Sequence, residues 1–311
     1  MIYDVIIIGL GASGVSASIY AKRSGLNVCV LNYGNPGGII GESSIVENYP
    51  GFKSISGMDL SIKFFEHFNS LNIPLYNEEV IDIKNGDVKE IITTNNIYKC
   101  KNVIICSGRK PKKLSIKNED KYIGNGISYC AVCDGNLYKQ KNVCVVGGEN
   151  SALESALYLS NICKHVYLLV RKDVLRGDKK LSDDILKSSN IEIKYNTEIK
   201  DLKIVDDKIS GVITNNEELN VSGIFVNIGY EPSINILKSL DVNMEKNYIL
   251  VDKNMETNIK GIYACGDIIK KDLYQLVTAV SEGAIAANYI SKSIKKWYFF
   301  CFVYSFLYFY S

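Results

Sequence analysis

Cys130 and Cys133 form the only close pair among nine cysteines. Thiols at C-x-x-C spacing can close a small disulfide ring, and the strain of that ring with a helix dipole lowers the pKa of one sulfur, which is the chemistry of thiol–disulfide exchange. The rival readings are a metal site and two buried thiols that merely pack. Zinc would need further ligands, yet His67 and His165 are the only histidines and there is no second C-x-x-C, so no metal is expected. Most of the other cysteines sit singly in apolar stretches, as small buried hydrophobes do.

A second kind of chemistry is written in glycines. Gly9-Leu10-Gly11-Ala12-Ser13-Gly14 follows a β-branched run, and G-x-G-x-x-G lets the backbone approach a pyrophosphate held at a helix N-terminus. Asn32 stands about twenty residues on, where an acidic ribose ligand is usual, which weakens a nicotinamide reading of this first turn more than a flavin one. Far downstream, residues 261–267 (GIYACGD) place Asp267 just after a strand and a glycine turn. There it is suited to accept hydrogen bonds from a polyol, a helix N-cap being the alternative.

The elements that must position these groups follow from periodicity. Residues 3–8 form a strand, 14–24 carry helical spacing and 28–31 resume a strand: a β-α-β unit. The pattern returns with a strand at 142–146, a glycine pair, a helix at 150–159 and a strand at 166–170. Two dinucleotide-fold units thus lie about 140 residues apart, and 311 residues suit two domains. Further strands are expected at 191–195, 209–214 and 223–228, and a helix at 273–291 in which Gly283, Ala284, Ala286 and Ala287 allow close packing. The polar stretches 110–113 and 245–247 are the expected crossings between domains.

Composition narrows the class. Hydrophobic residues are 47%, charged ones 23% and net charge is +2, which excludes disorder and collagen and gives no broad basic field for nucleic acid. Only four of the 36 basic residues are arginine, Arg23, Arg109, Arg171 and Arg176. The first residues lack the basic region of a secretory leader, so a reducing cytoplasm is expected. There a C-x-x-C is redox-active or metal-binding, not a structural staple. The tail 297–311, WYFFCFVYSFLYFYS, is too short to span a bilayer as a helix. A non-native extension, an interfacial membrane contact and intersubunit packing are its open readings, and a transmembrane anchor is not expected.

Six motifs occur in one order: GLGASG at 9–14, ENYPGF at 47–52, CSGRKP at 106–111, CAVCDG at 130–135, GGENSA at 147–152 and ACGD at 264–267. With them the chain resembles the low-molecular-weight thioredoxin reductases, which are pyridine nucleotide-disulfide oxidoreductases, over nearly everything before the tail. The resemblance implies an α/β fold of two Rossmann-like dinucleotide-binding domains, the second inserted into the first. Residues 1–112 and 244–296 would bind FAD; residues 113–243 would bind NADPH and carry the C-x-x-C. It further implies a homodimer, a thioredoxin-like partner and a large rotation between domains during the cycle. By motif, Cys133 would lie against the flavin, Cys130 would attack the partner's disulfide and Asp134 would be the nearby acid. FAD would be held by Gly9, Gly11, Ala12, Gly14, Gly38, Asn48, Gly108, Gly266, Asp267 and Gln275. NADPH would be held by Gly147, Gly148, Asn150, Ser151, Ala152, Arg171, Lys172 and Arg176.

Several positions depart from the family pattern. Glu149 replaces the middle glycine of G-x-G-x-x-A and puts a carboxylate where the pyrophosphate should approach. Val170 replaces the histidine of the usual His-Arg-Arg segment, though Arg171, Lys172 and Arg176 keep three positive charges for a 2′-phosphate. Ile39 stands where a glutamine is usual, and Tyr274 where arginine is common. Glu149 with Val170 favours, as the alternative, a related enzyme reduced by ferredoxin or a reduced flavin. A non-catalytic flavin and thiol redox sensor is the reading from outside the enzymes.

Overall fold

The computed structural model describes residues 1–43 and 45–308, with side chains as far as residue 294. The chain divides into two compact units, Met1–Arg109 with Pro232–Ser311, and Lys110–Glu231.

In the first unit, Ile2–Ile8 is a central strand, flanked in parallel by Val28–Asn32 and Ile97–Ile105. Val5, Ile6 and Ile7 have no exposed surface, as expected of a parallel strand covered on both faces, where a continuous apolar run replaces alternation. Leu75–Asn77 lies at one edge, while Lys89–Thr93 and Val80–Lys84 extend the other side antiparallel. Ile262–Ala264 joins Ile97–Ile105 in parallel, so that Ile8, Ile105 and Ala264 stand in register at the strands' C-terminal ends. The helix Ala12–Arg23 covers one face and packs on the long helix Leu276–Tyr308. Gly283 permits this approach, because a Cβ there would lie 2.1 Å from the Ser13 carbonyl oxygen. Ser16 adds a 2.6 Å hydrogen bond to the Val280 carbonyl.

In the second unit, Asn142–Val146 is the centre of a five-stranded parallel sheet. His165–Val170 and then Ile191–Tyr195 lie on one side, Gly223–Val226 and then Ile127–Ser128 on the other. Asn150–Ser160 and Lys179–Lys187 pack on one face, and the antiparallel strands Ile199–Val205 and Lys208–Thr214 contribute Ile199, Leu202, Ile209 and Val212 to the other.

Both expected β-α-β units are present, with ends shifted by one or two residues. The expected helix at 273–291 begins later, at Leu276, because Thr278 turns back on the preceding chain, its hydroxyl donating to the Gln275 carbonyl at 2.8 Å. That helix continues to Tyr308; the side chains of the aromatic tail, and with them the three readings of it, lie outside the described residues. Residues 245–247 do not join the two units. Met244–Glu245 pairs with Tyr248–Ile249 across a hairpin turn whose central residues, Lys246 and Asn247, have φ of 50° and 67°, as a two-residue primed turn requires. The chain passes between units at 109–110 and 231–232.

Candidate functional site

The cysteine pair sits just beyond the edge strand Ile127–Ser128 of the second unit. Cys130 and Cys133 form a disulfide with Cα atoms 5.3 Å apart. Cys130 caps the single turn Ala131–Asp134, its Sγ accepting the Cys133 N–H at 3.1 Å. A four-residue helix has almost no macrodipole, so what polarises the Cys130 sulfur is this one N–H. Ser128, buried beneath, donates to the Asp134 carboxylate at 2.7 Å and accepts the Cys130 N–H at 3.0 Å. One hydroxyl therefore ties the attacking candidate to the acid candidate. The residue between Ser128 and Cys130 is braced too: the Tyr129 hydroxyl donates to Glu119, whose carboxylate also accepts the N–H groups of Leu114 and Ser115 at 2.8 Å each. Burial first, then Glu119, raises the Tyr129 pKa, so the phenol stays a donor. Cys133 is exposed and Cys130 half-buried.

The remaining described cysteines differ in kind. Cys29, Cys100, Cys106, Cys144, Cys163 and Cys265 are buried and unpaired. Burial pushes Cys163 up to about 11 and Cys29 and Cys100 up to about 12, so these remain protonated and inert. Among the described residues no cluster of three or more His, Cys, Asp or Glu could hold a metal ion.

In the first unit the glycines of GLGASG divide into two kinds. A Cβ on Gly9, at φ 96°, would come within 2.4 Å of the Cys106 carbonyl, and one on Gly14 within 2.0 Å of the Gly9 carbonyl: both are packing glycines. Gly11 caps the helix Ala12–Arg23, and a Cβ on it would meet only Gly37 and Gly38 backbone, at 3.9 and 4.0 Å. Its bareness serves no internal contact and leaves the helix N-terminus open to a pyrophosphate. Gly38, at φ 61°, lies against Gly11, and Gly37 donates its N–H to Leu10 at 2.8 Å. Asn32, standing at the ribose-ligand position, braces the turn instead. Its side-chain oxygen accepts the Leu10 N–H at 2.9 Å and its amide donates to Gly34 at 3.0 Å.

Two more groups meet this turn at the strand ends. Gly266, at φ 81°, packs on Ser13, where a Cβ would come within 2.6 Å of the hydroxyl, and donates its N–H to buried Glu282 at 2.8 Å. Asp267 makes no helix cap. Its Oδ2 accepts two bonds from Arg109, from Nη2 at 2.6 Å and Nε at 3.1 Å. Lys271 stands 3.6 Å from its Oδ1 and is held by Glu282 at 3.0 Å. Burial raises the Glu282 pKa, and Lys271 opposes that rise. Asn48 donates to Gln275 at 3.0 Å, which joins two expected flavin contacts 227 residues apart. Gly108, at φ 61°, has open space where a Cβ would be. This convergence at the C-terminal ends of parallel strands is where open α/β sheets take ligands, and the bare glycines with a carboxylate opposite suit a dinucleotide carrying a polyol.

In the second glycine turn, Gly147 packs on the Asn227 carbonyl, 2.2 Å from where its Cβ would be. A Cβ on Gly148 would come within 2.9 Å of Val170, so Val170 is a floor beneath the turn. Glu149 occupies the N-cap of Asn150–Ser160 without capping it. Instead its carboxylate reaches Arg176 at 3.0 Å. Asn150 exchanges hydrogen bonds with Asp178, at 2.7 and 3.0 Å. Glu149, Asn150, Ser151, Arg176 and Asp178 line one open pocket; Ala152 is buried beside it, while Arg171 and Lys172 are exposed and do not line it. Sequence reading missed Ser128, Glu119, the Arg109–Asp267 pair and the bracing role of Asn32. Ser128 stands two residues before the C-x-x-C; Arg109 and Asp267 each lie within a recognised motif, but their partnership spans 158 residues and that of Asn32 with Leu10 spans 22.

The family described as pyridine nucleotide-disulphide oxidoreductase matches residues 3–283. The thioredoxin reductase of Mycoplasma genitalium is 39% identical, covering 92% of this chain and 93% of that protein. The solved thioredoxin reductase of Lactococcus lactis is 36% identical with a TM-score of 0.84, covering 94% of this chain and 99% of its own. A ferredoxin-flavin thioredoxin reductase of Clostridium acetobutylicum is 32% identical with a TM-score of 0.54, covering 94% and 98%. Among the described residues no helix is long and apolar enough to cross a membrane.

Proposed function

The chain belongs to the pyridine nucleotide-disulphide oxidoreductase family, and from that premise we propose that it passes electrons from NADPH through FAD and the Cys130–Cys133 pair to thioredoxin. It is a flavoprotein disulfide reductase of the thioredoxin reductase kind, with a flavin and a nicotinamide nucleotide as cofactors and thioredoxin as substrate. The single observation that carries the reading is the Ser128 hydroxyl, which joins Cys130 and Asp134 into one unit. Bound flavin supplies the two-electron reduction of the Cys130–Cys133 disulfide. FAD would be held by Gly11 and Gly38 at the pyrophosphate, by Asp267 at the polyol, and by Asn48 and Gln275. NADPH would take the second glycine turn, with Arg171, Lys172 and Arg176 for its 2′-phosphate.

Once the pair is reduced, the Cys130 thiolate attacks one sulfur of the thioredoxin disulfide, forming a mixed disulfide and expelling the other thioredoxin sulfur as a thiolate. Asp134, held by Ser128, takes the Cys130 thiol proton as the attacking thiolate forms and passes it to that departing thiolate. Cys133 then attacks Cys130, giving up its thiol proton; the second thioredoxin sulfur leaves and takes that proton, and the Cys130–Cys133 disulfide is restored. The protein acts as a homodimer in the cytoplasm in this reading.

The Glu149–Arg176 pair favours a second reading, in which reduced ferredoxin is the donor; the Clostridium acetobutylicum neighbour is named a ferredoxin-flavin thioredoxin reductase. Anaerobic stopped-flow mixing with NADPH or with reduced ferredoxin, followed by flavin bleaching and thioredoxin reduction, decides between the donors. Bleaching by NADPH at catalytic rates supports the first reading; bleaching by ferredoxin alone replaces it with the second.

A further inference from the structure

We propose that Arg109 is a positioning residue of the flavin site: it orients the Asp267 carboxylate, offsets its charge and is itself set by the Tyr274 ring. The inference rests on the assignment of the flavin to the first unit and concerns what tunes it there.

Arg109 follows Gly108, whose φ of 61° turns the chain out of the strand Ile97–Ile105. Its guanidinium lies 4.9 Å from the Tyr274 ring centroid, a separation at which cation and ring attract. From there two N–H groups reach one oxygen of Asp267, at 2.6 and 3.1 Å. The side chains of both partners are about one-fifth exposed, at 22% and 17%, so solvent screens the pair only in part. Both N–H bonds fall on Oδ2. A carboxylate has about four lone-pair sites, and among the described residues Oδ1 has only the Lys271 ammonium, 3.6 Å away and outside hydrogen-bond distance. The arrangement leaves Oδ1 able to accept a polyol hydroxyl while Oδ2 is fixed. Lys271 cannot replace Arg109 in this, since Glu282 engages it with both oxygens.

The charges have a consequence for the bound cofactor. Reduction adds negative charge to a flavin, and fixed charges nearby favour or oppose that form. With Arg109 present, the Asp267 charge is offset. Without it the carboxylate keeps only Lys271, 3.6 Å away and already engaged by Glu282, so less of its charge is offset and it opposes reduction. Removing the carboxylate and keeping the arginine does the reverse. A pair that only stapled the fold would change flavin affinity without moving the potential in opposite directions.

The test measures flavin dissociation by fluorescence and the midpoint potential of the bound flavin, on the full chain. Arg109→Met is expected to weaken flavin binding at least tenfold. It is also expected to lower the potential, reduced flavin losing about tenfold more affinity than oxidised, which is about 30 mV for a two-electron couple. Asp267→Asn is expected to weaken binding while raising the potential. Arg109→Lys keeps the charge without the fork and should hold the potential near wild type with weaker binding. Tyr274→Leu should weaken flavin less than Arg109→Met. Equal affinity and potential in Arg109→Met and wild type overturn the proposal, as does a loss of affinity in Arg109→Met and Asp267→Asn with no opposed shift in potential. Should Arg109→Met fail to fold, Arg109→Lys and Tyr274→Leu decide: wild-type flavin affinity in both overturns it. A wild-type protein that takes up no flavin would instead overturn the proposed function.

Discussion

Replacing Glu149 by glycine should tighten NADPH binding, and the contacts of Glu149 set the size of the effect. The carboxylate caps nothing, so its loss leaves the helix Asn150–Ser160 intact, and glycine is itself an accepted N-cap. The pair with Arg176 is exposed, with 65% of the Glu149 side chain and 57% of the arginine accessible, and such pairs contribute about 0–1 kcal/mol. A pyrophosphate arriving within about 5 Å of Glu149 meets repulsion of about 1 kcal/mol in water-like surroundings and about 3 kcal/mol at an effective dielectric near 20. Exposure places the site near the lower figure. Removing the repulsion and freeing Arg176 together come to about 1–2 kcal/mol, which is about 5- to 30-fold in affinity. The ion pair adds a coupling: Arg176→Ala should cost more in the Glu149→Gly background, where the guanidinium has no carboxylate to serve, than in wild type. Glu149→Gln separates charge from backbone approach and should recover only part of the gain. Anaerobic titration of flavin reduction at varied NADPH, with NADH as the control lacking a 2′-phosphate, measures each. Equal NADPH affinity in Glu149→Gly and wild type would refute the reasoning, and equal Arg176→Ala costs in the two backgrounds would refute the coupling.

Gly11→Ala should lower flavin affinity at least tenfold with little change in Tm, because its Cβ would meet no protein atom closer than 3.9 Å; calorimetry and flavin fluorescence check the two halves of that statement. Cys133→Ser should end thioredoxin reduction while the protein stays yellow, since it breaks the dithiol and touches neither glycine turn. Ser128→Ala unties Asp134 from Cys130 and should slow thioredoxin reduction several-fold with unchanged flavin reduction, a split that single-turnover kinetics resolves. After reduction, brief alkylation at pH 8 should label Cys130 and Cys133 well before Cys29, Cys100 and Cys163. A thiol pushed up to about 11, as Cys163 is, has about one part in a thousand as thiolate at that pH and gains reactivity only as pH rises toward that value. Peptide mass spectrometry reads the order.

The chemistry that depends on neighbours in sequence was legible; the chemistry that depends on topology was not. The strands at 142–146 and 191–195 agree to the residue, because apolar runs bounded by polar residues carry their own signal. The helix Gly57–Asn69 escaped notice although it has one: Ser56 accepts the Asp59 N–H at 3.0 Å, and Leu60 and Phe68 form its buried side. The site divides along the same line. The C-x-x-C and the glycine turns are local patterns, but Arg109 and Asp267 stand 158 residues apart and meet only because their strands end side by side. Asn32 shows the limit most clearly. Position alone gave it the place of a ribose ligand, whereas its amide is spent bracing the Leu10 N–H and Gly34 carbonyl of the turn itself. An aspartate there could still accept from Leu10 but could not donate to Gly34, so the amide suits this bracing as a carboxylate would not.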